Sequence, residues 1–301
     1  MLKKNEEYIV EIIDNGFQGE GIAKIDNMVI FIPNAIKGEK TKIKILKVTS
    51  KVAYGKIIEI LEKSEDRIDC VDCETFSKCG GCVLRHVKYE KTLEIKKEAV
   101  EVTLRKALGR EIKVSNVLKM DEPYNYRNKL QYPVGMDLNG KPVMGVFAET
   151  THMIIPTKDC KIQDTLSQKI ANDIFEFIEK NNIEVYNEKT LKGSLRHIVI
   201  RKGKKTNEVM VTLVVNDFKV PNENKLIDFL TNKYSQIKTI IKNLNNKNTN
   251  VILGQQNQAI YGDGYISDIL LIVSAKLFSC SHLFRYSLYF SVINSICFCF
   301  L

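Results

Sequence analysis

The sequence predicts an α+β protein: a small closed β-barrel of the OB type, followed by a longer mixed α/β domain. Three observations carry this. Short β-branched runs divided by Gly, Asn and Asp turns fill residues 1–62. Apolar stripes at helical spacing begin only after that stretch. Between the two regions lies a loop holding Cys73, Cys79 and Cys82.

The barrel is expected from five strands. Tyr8–Ile13 is apolar and β-branched and ends in the turn Asp14-Asn-Gly16. Gly21–Ile25 leads through Asp26-Asn27 into Met28–Ile32. Thr41–Leu46 and Gly55–Leu61 alternate apolar and polar residues, as half-buried strands do. The many lysines on these strands fit either RNA contact or ordinary solvation of an outer face.

Residues 63–82 form the cysteine loop. A helix is expected from about Leu84 to Leu108, with Leu93, Val100, Leu104 and Leu108 on one stripe and Gly109 as its stop. Its lysines are offset by Glu90, Glu94, Glu98 and Glu101, which reads as a solvated salt-bridge face. Ile162, Leu166, Ile170, Ile174 and Ile178 mark a core-facing helix. Arg196–Arg201 and Val209–Val215 flank Gly203-Lys-Lys-Thr-Asn207 as a hairpin. Pro221 opens a helix that runs to about Lys233, and residues 243–250 are a loop or hairpin end. There are no internal repeats.

The net charge of +9 on 301 residues favours a polyanionic partner, most simply nucleic acid. The opening Met1-Leu-Lys-Lys lacks the apolar run of a secretory signal, so a cytoplasmic setting is expected, with the eight cysteines kept reduced. Residues 271–301 contain no Asp or Glu and read as an atypical, non-native or frameshifted apolar tail. Their uncharged stretch, 286–301, falls short of the about 20 residues of a membrane helix. The domain expectation is therefore 1–62, 63–270 and 271–301. Neither a membrane nor a stable protein partner is expected.

Three readings of the cysteine loop stay open on residue types alone. Cys73, Cys79, Cys82 and the remote Cys160 match a four-thiolate iron–sulfur cluster. Cys70-x2-Cys73 with Cys79-x2-Cys82 matches zinc, although the gap between the pairs is short for a zinc ribbon. The third reading is buried or incidental thiols. Cys160 favours the cluster, because it lies among polar residues in Thr157-Lys-Asp-Cys-Lys161.

Arg127, Asn128 and Lys129 sit between Tyr124, Tyr126 and Tyr132, a pattern suited to phosphate contact and base stacking. A lysine-bearing strand edge with half-buried tyrosines would look the same. Arg196, His197 and Arg201 are a second candidate group, with His197 equally readable as a core histidine. The RNA-binding candidates are thus Tyr126, Arg127, Asn128, Lys129, Arg196 and Arg201. Gly262-Asp-Gly264 reads as a tight turn, not a cofactor loop.

The chain resembles the RNA uracil-5-methyltransferases that carry an N-terminal TRAM barrel, most closely the branch acting on 23S ribosomal RNA. The resemblance rests on Gly19-Glu-Gly-Ile-Ala-Lys24, on Cys73-x5-Cys79-Gly-Gly-Cys82 with Cys160, and on Tyr126–Pro133, Leu195–Arg201 and Asn250–Gly254. It covers residues 1 to about 270. It implies a TRAM-like barrel, a structural [4Fe–4S] cluster on Cys73, Cys79, Cys82 and Cys160, and ribosomal RNA as partner. It also implies methyl transfer from S-adenosylmethionine to the C5 carbon of a flipped-out uridine. The family continues past the position of Ser267-Asp-Ile269 into a Rossmann-like domain that carries the donor, the nucleophilic cysteine and the base. Nothing from Leu271 onward resembles it, and Ser279-Cys280 lacks the context of the catalytic pair. The expectation is therefore a truncated chain with the Rossmann-like domain absent, with no catalytic residue and no donor site. It would be an inactive fragment that keeps the RNA-binding and iron–sulfur parts. The alternative is a stand-alone RNA-binding or redox-sensing iron–sulfur module.

Overall fold

A computed structural model describes residues 2–69, 71–76, 78–149, 151–270 and 273–278, in two units, residues 1–123 and 124–301. Cys70 and the tail residues Ser279, Cys280, Cys297 and Cys299 lie outside the described residues.

The first unit opens with six strands: β1 (Glu7–Glu11), β2 (Asp14–Asn15), β3 (Gly21–Ile25), β4 (Met28–Ile32), β5 (Lys40–Val48) and β6 (Val52–Glu62). Their order is β1-β5-β6-β4-β3-β2, with β4 and β6 parallel. β1 pairs with β5, β2 pairs with β3, and only Ile12 and Ile13 separate β1 from β2. The N–H of Ile13 donates to the carbonyl of Ile22 at 2.8 Å. The two edges of the sheet are therefore consecutive parts of one bent strand, and the sheet closes on itself. Alternation then sorts the side chains. Val10, Ile12, Ala23, Ile30, Ile32, Ile43, Ile45 and Ala53 fill the interior, and the lysines between them face out.

Helix α1 (Tyr89–Leu108) starts later than the sequence predicts. The residues before it are held by pairing instead: the Ile68 N–H donates to the His86 carbonyl and the Lys88 N–H to the Asp66 carbonyl, both at 2.9 Å. The helix ends where expected, at Gly109, whose φ of 65° lies in the left-handed region that favours glycine. Its expected core stripe is not buried, however. Ile95, with Ile36 and Val87, makes the local core, while Val100 and Leu108 are exposed.

The second unit contains β7 (Lys129–Met136), β8 (Pro142–Phe147), β9 (Ile154–Pro156), α2 (Thr165–Lys180), β10 (Leu195–Lys202), β11 (Val209–Val215), α3 (Glu223–Lys233), β12 (Ile237–Leu244), β13 (Gln256–Tyr261), β14 (Tyr265–Leu270) and β15 (Val273–Phe278). The main sheet runs β13-β12-β11-β10-β7-β8-β9. β11 and β12 are parallel, joined through α3; the other pairs are antiparallel. One sheet face takes α2 and α3. Leu130, Tyr132, Ile198, Ile200, Val211 and Leu213 meet the stripe Ile170, Ile174 and Ile178 of α2 and Leu226 and Leu230 of α3. Asp164 caps α2, its carboxylate accepting from the Ser167 N–H at 2.9 Å. On the opposite face, Ile266 of β14 packs on Met210 and Ile241.

Candidate nucleic-acid interface

β7 and β10 set Lys129 directly across from Arg201. Residues directly opposite in an antiparallel pair share a face, so the two cations stand side by side. Arg127 joins them. Burial, then Arg201 and Arg127, holds the Lys129 ammonium below its usual pKa, and burial lowers that of Arg201. The backbone under the group is pinned on both sides. The Arg127 N–H donates to the Ile162 carbonyl, and the Asn128 carbonyl accepts from the Lys202 N–H, both at 2.9 Å. No carboxylate among the described residues pairs with Arg127, Lys129 or Arg201. Lys202 points to the other side of the sheet and binds Asp164 at 2.8 Å. Tyr124 and Tyr126 beside the cations are exposed, whereas Tyr132 is fully buried in the helix-side core. The arrangement offers adjacent positive charges beside the exposed ring of Tyr126, with no carboxylate partner among the described residues, which suits a polyanion that also presents flat faces.

Arg196 and His197 take no part in this group. Arg196 is buried; its guanidinium donates to the carbonyls of Asn245 at 2.6 Å and Lys247 at 2.9 Å and lies over the Tyr186 ring at 4.3 Å. Asn245 in turn donates to the carbonyls of Val251 and Ile252, so the arginine clamps the loop after β12. His197 is buried, edge-on to Phe147 at 6.3 Å, and both its ring nitrogens lack a hydrogen-bond partner. Burial, with Arg196 adding to it, lowers its pKa to about 4, so it is a neutral core histidine. Gly262 and Gly264, both at positive φ, form the expected turn between β13 and β14. Lys91 on α1 pairs with Glu94 at 2.8 Å, in keeping with a salt-bridged solvent face.

The four-cysteine cluster is not supported. Among the described residues, which include Cys73, Cys79, Cys82 and Cys160, no group of three or more His, Cys, Asp or Glu side chains is placed to hold a metal ion. All four are half-buried, and the loop's own polar groups engage two of them. The Cys73 sulfur lies 3.5 Å from the Thr75 hydroxyl, and the Cys79 sulfur accepts from the Gly81 N–H at 3.3 Å. The residues present do not fit a [4Fe–4S] cluster, and that expectation is corrected.

Two groupings escaped the sequence reading. Glu39, in the strand β5 approach, is buried and bound by Arg67 through both carboxylate oxygens at 2.5 and 2.7 Å. Phe31 and Tyr54 form a ring pair on the barrel's outer face. The signal for the second was present: in Ala53-Tyr-Gly-Lys56 the small residues alternate inward, which puts the large ones outside.

Residues 2–58 match the TRAM domain. Over 285 residues the chain is 44% identical to an uncharacterized RNA methyltransferase of Clostridium acetobutylicum, covering 92% of this chain and 61% of that protein. A second relative, from Staphylococcus epidermidis, is 37% identical over 270 residues, or 89% of this chain and 59% of its own length. The chain thus spans about three-fifths of the length of the curated relatives it matches. Among solved structures it superposes on the tRNA (uracil-54, C5)-methyltransferase of Pyrococcus abyssi, solved with S-adenosyl-L-homocysteine. The TM-score is 0.67 at 23% identity, over 91% of this chain and 60% of that one.

These matches overturn two expectations. The fold class was expected to be an α+β scaffold set apart by an absent Rossmann-like methyltransferase domain. Nine-tenths of the chain instead follows the fold of an RNA methyltransferase, so a fold class defined by a missing domain is withdrawn. The function was expected to be that of an inactive fragment or a stand-alone iron–sulfur module. The relatives are RNA methyltransferases along the same nine-tenths, and neither description is kept. The chain carries a TRAM domain and is related along most of its length to RNA methyltransferases.

Proposed function

We propose that the protein acts in RNA methylation, transferring a methyl group from S-adenosylmethionine to the C5 carbon of a uracil, in the cytoplasm. This replaces the expectation that the donor has no site on this chain. The donor, when bound, supplies an electrophilic methyl group; the described residues of this chain grip and orient the RNA. The observation that carries the reading is the trio Arg127, Lys129 and Arg201, without a carboxylate partner among the described residues, in a chain that superposes on a uracil methyltransferase. Within RNA, the resemblance of Tyr126–Pro133 supports ribosomal RNA as the first substrate to test.

The test is incubation with labelled methyl donor and either ribosomal or transfer RNA, followed by digestion to nucleosides. The expected result is labelled 5-methyluridine from ribosomal RNA, reduced in a Lys129→Ala/Arg201→Ala variant. Label confined to transfer RNA would reassign the substrate. Label in neither RNA would overturn the reading.

A further inference from the structure

The trio stands at the foot of a hairpin whose tip carries two more cations. β10 runs on from Arg201 into the turn Gly203-Lys-Lys-Thr-Asn207, and the chain returns as β11. Lys204 and Lys205 follow Arg201 closely, at most about 14 Å of chain away. Both are exposed, and neither has an ion-pair partner among the described residues.

β14 grips this tip. Asp268, 64 residues after Lys204, turns its carboxylate onto the main chain of the turn. One oxygen accepts from the Lys204 N–H at 2.9 Å. The other accepts from the Lys205 N–H at 2.9 Å and the Thr206 N–H at 3.4 Å. The Thr206 hydroxyl donates to the Ser267 carbonyl at 2.6 Å, and the Ser267 N–H donates to the Glu208 carboxylate at 2.7 Å. Gly203 allows the close approach, since a Cβ there would stand 2.9 Å from the Ser267 carbonyl oxygen. Burial alone would raise the Asp268 pKa, but the N–H groups of Lys205, Lys204, Ile269 and Thr206 more than offset it. Water satisfies the N–H groups of an exposed turn, so closing the hairpin does not require this carboxylate. Asp268 and Glu208 both accept from main-chain N–H groups, and neither forms an ion pair with Lys204 or Lys205. The contact therefore fixes where the two lysines leave the tip without neutralising them.

We propose that Asp268 is a positioning residue for the RNA: it holds the hairpin tip so that Lys204 and Lys205 prolong the cation row of Arg127, Lys129 and Arg201 along the phosphate backbone. A tip ordered before binding loses less freedom on binding, so its contacts return more affinity than those of a loose one. The inference rests on RNA as the substrate.

The test measures binding of ribosomal RNA to variants of the whole protein over a range of salt. Lys204→Ala/Lys205→Ala is expected to lower the log–log salt slope by about 1.4 to 1.8, the share of two phosphates. Asp268→Ala is expected to weaken binding on the order of fivefold, the ordering of one long side chain. It also speeds amide exchange at Lys204, Lys205 and Thr206. The decisive readout is coupling: in the Asp268→Ala background, removing the two lysines costs less affinity than it does in the unaltered protein. A loss of fold would weaken all RNA contacts alike and show no such coupling. Thr206→Val removes only the bond to Ser267 and serves if Asp268→Ala fails to fold; it gives a smaller loss with the same coupling. Additive losses, or an unchanged salt slope in Lys204→Ala/Lys205→Ala, would overturn the proposal. If affinity falls only in Lys129→Ala/Arg201→Ala, the hairpin assignment fails while the RNA reading stands. If the unaltered protein binds neither ribosomal nor transfer RNA, both fail.

Discussion

In the first unit, buried Glu39 pairs with half-buried Arg67, whereas in the second unit Arg127, Lys129 and Arg201 stand together with no carboxylate partner among the described residues. Burial alone would raise the Glu39 pKa; the guanidinium of Arg67 and the N–H groups of Ile36 and Ser64 more than offset it and hold the carboxyl below its ordinary value. Arg67 also donates to the Asn34 carbonyl at 2.7 Å, so the pair ties the segment after β6 to the loop before β5. The trio ties nothing together; its backbone is already pinned by main-chain bonds. The first set of charges is matched within the fold, and the second has no carboxylate partner among the described residues.

The sharpest way to break this comparison is Glu39→Ala. It leaves the guanidinium of half-buried Arg67 without its carboxylate, and the cost is about 3 kcal/mol, the low end for orphaning one member of a buried pair. Urea unfolding should show that loss, with the RNA affinity of the still-folded protein unchanged. A loss under about 1 kcal/mol, the range of an exposed pair, would mean that the pair is incidental. The linkage sign follows from the lowered pKa. The contribution of Glu39 is present above the unfolded carboxylate value of about 4.3 and is lost as pH falls through the folded one.

A second contrast lies within one strand. Arg196 and Arg201 are both on β10, and the sequence offers them as equivalent RNA contacts. They are not equivalent: Arg196 is buried and donates to the carbonyls of Asn245 and Lys247, whereas Arg201 stands across from Lys129. Arg196→Ala removes two charge-assisted bonds to buried carbonyls, and a loss of about 2–3 kcal/mol is expected on thermal or urea unfolding. Arg201→Ala should leave stability within about 0.5 kcal/mol, while lowering RNA affinity and reducing the salt slope by about 1. If Arg196→Ala instead weakened RNA binding without destabilising the protein, the distinction between clamp and contact would collapse.

That strand also shows what was legible beforehand. Period-two alternation placed the barrel strands, the four-residue stripe placed α2, and the Gly203–Asn207 turn placed the hairpin, because each is a local pattern that burial enforces. The partners of Arg196 are carbonyls of a loop far along the chain, Asn245 and Lys247, so residue order could not show that it clamps and Arg201 does not. Tyr132 looked like a partner of Tyr126, but lies in the buried half of β7 with its hydroxyl 3.5 Å from the Gln168 carbonyl oxygen of the side chain. The cysteine spacing proved least transferable. Sequence separation fixes which thiols are near in the chain, not where their sulfurs point, and Thr75 and the Gly81 N–H turn two of them to local partners. The stripe on α1 failed for a related reason: helical period sets a face, but the segment 84–88 is used in pairing, and Thr92 and Ile95, not the expected leucines, are the buried positions.

Buried histidines allow the two units to be compared under acid. His86 in the first unit and His197 in the second each fall from 6.5 to about 4. Burial is the leading cause for both, with Arg67 adding to it at His86 and Arg196 at His197. Between those values the unfolded chain binds more protons than the folded one, so the stability they contribute is complete above pH 6.5 and is lost as pH falls toward 4. His86→Phe and His197→Phe should each flatten the fall of melting temperature over that window, the first for residues 1–123 and the second for residues 124–301. Parallel curves for all three proteins would show that neither ring is held neutral by the fold.

The smallest effect tests the unmatched trio itself. Lys129 is held below its ordinary ammonium value by burial and by two neighbouring cations, so in the folded protein its charge is a cost. The cost is present below the folded pKa, and it is relieved as pH rises from there to the unfolded value of about 10.4. A phosphate placed among Arg127, Lys129 and Arg201 reverses the balance and raises the Lys129 pKa again. RNA binding should therefore take up a fraction of a proton in the alkaline range, read by calorimetry in buffers of different ionisation enthalpy. Lys129→Arg should bind RNA and abolish that uptake, because a guanidinium stays charged throughout. Equal proton uptake in the arginine variant would place the titrating group elsewhere and separate the trio from the RNA.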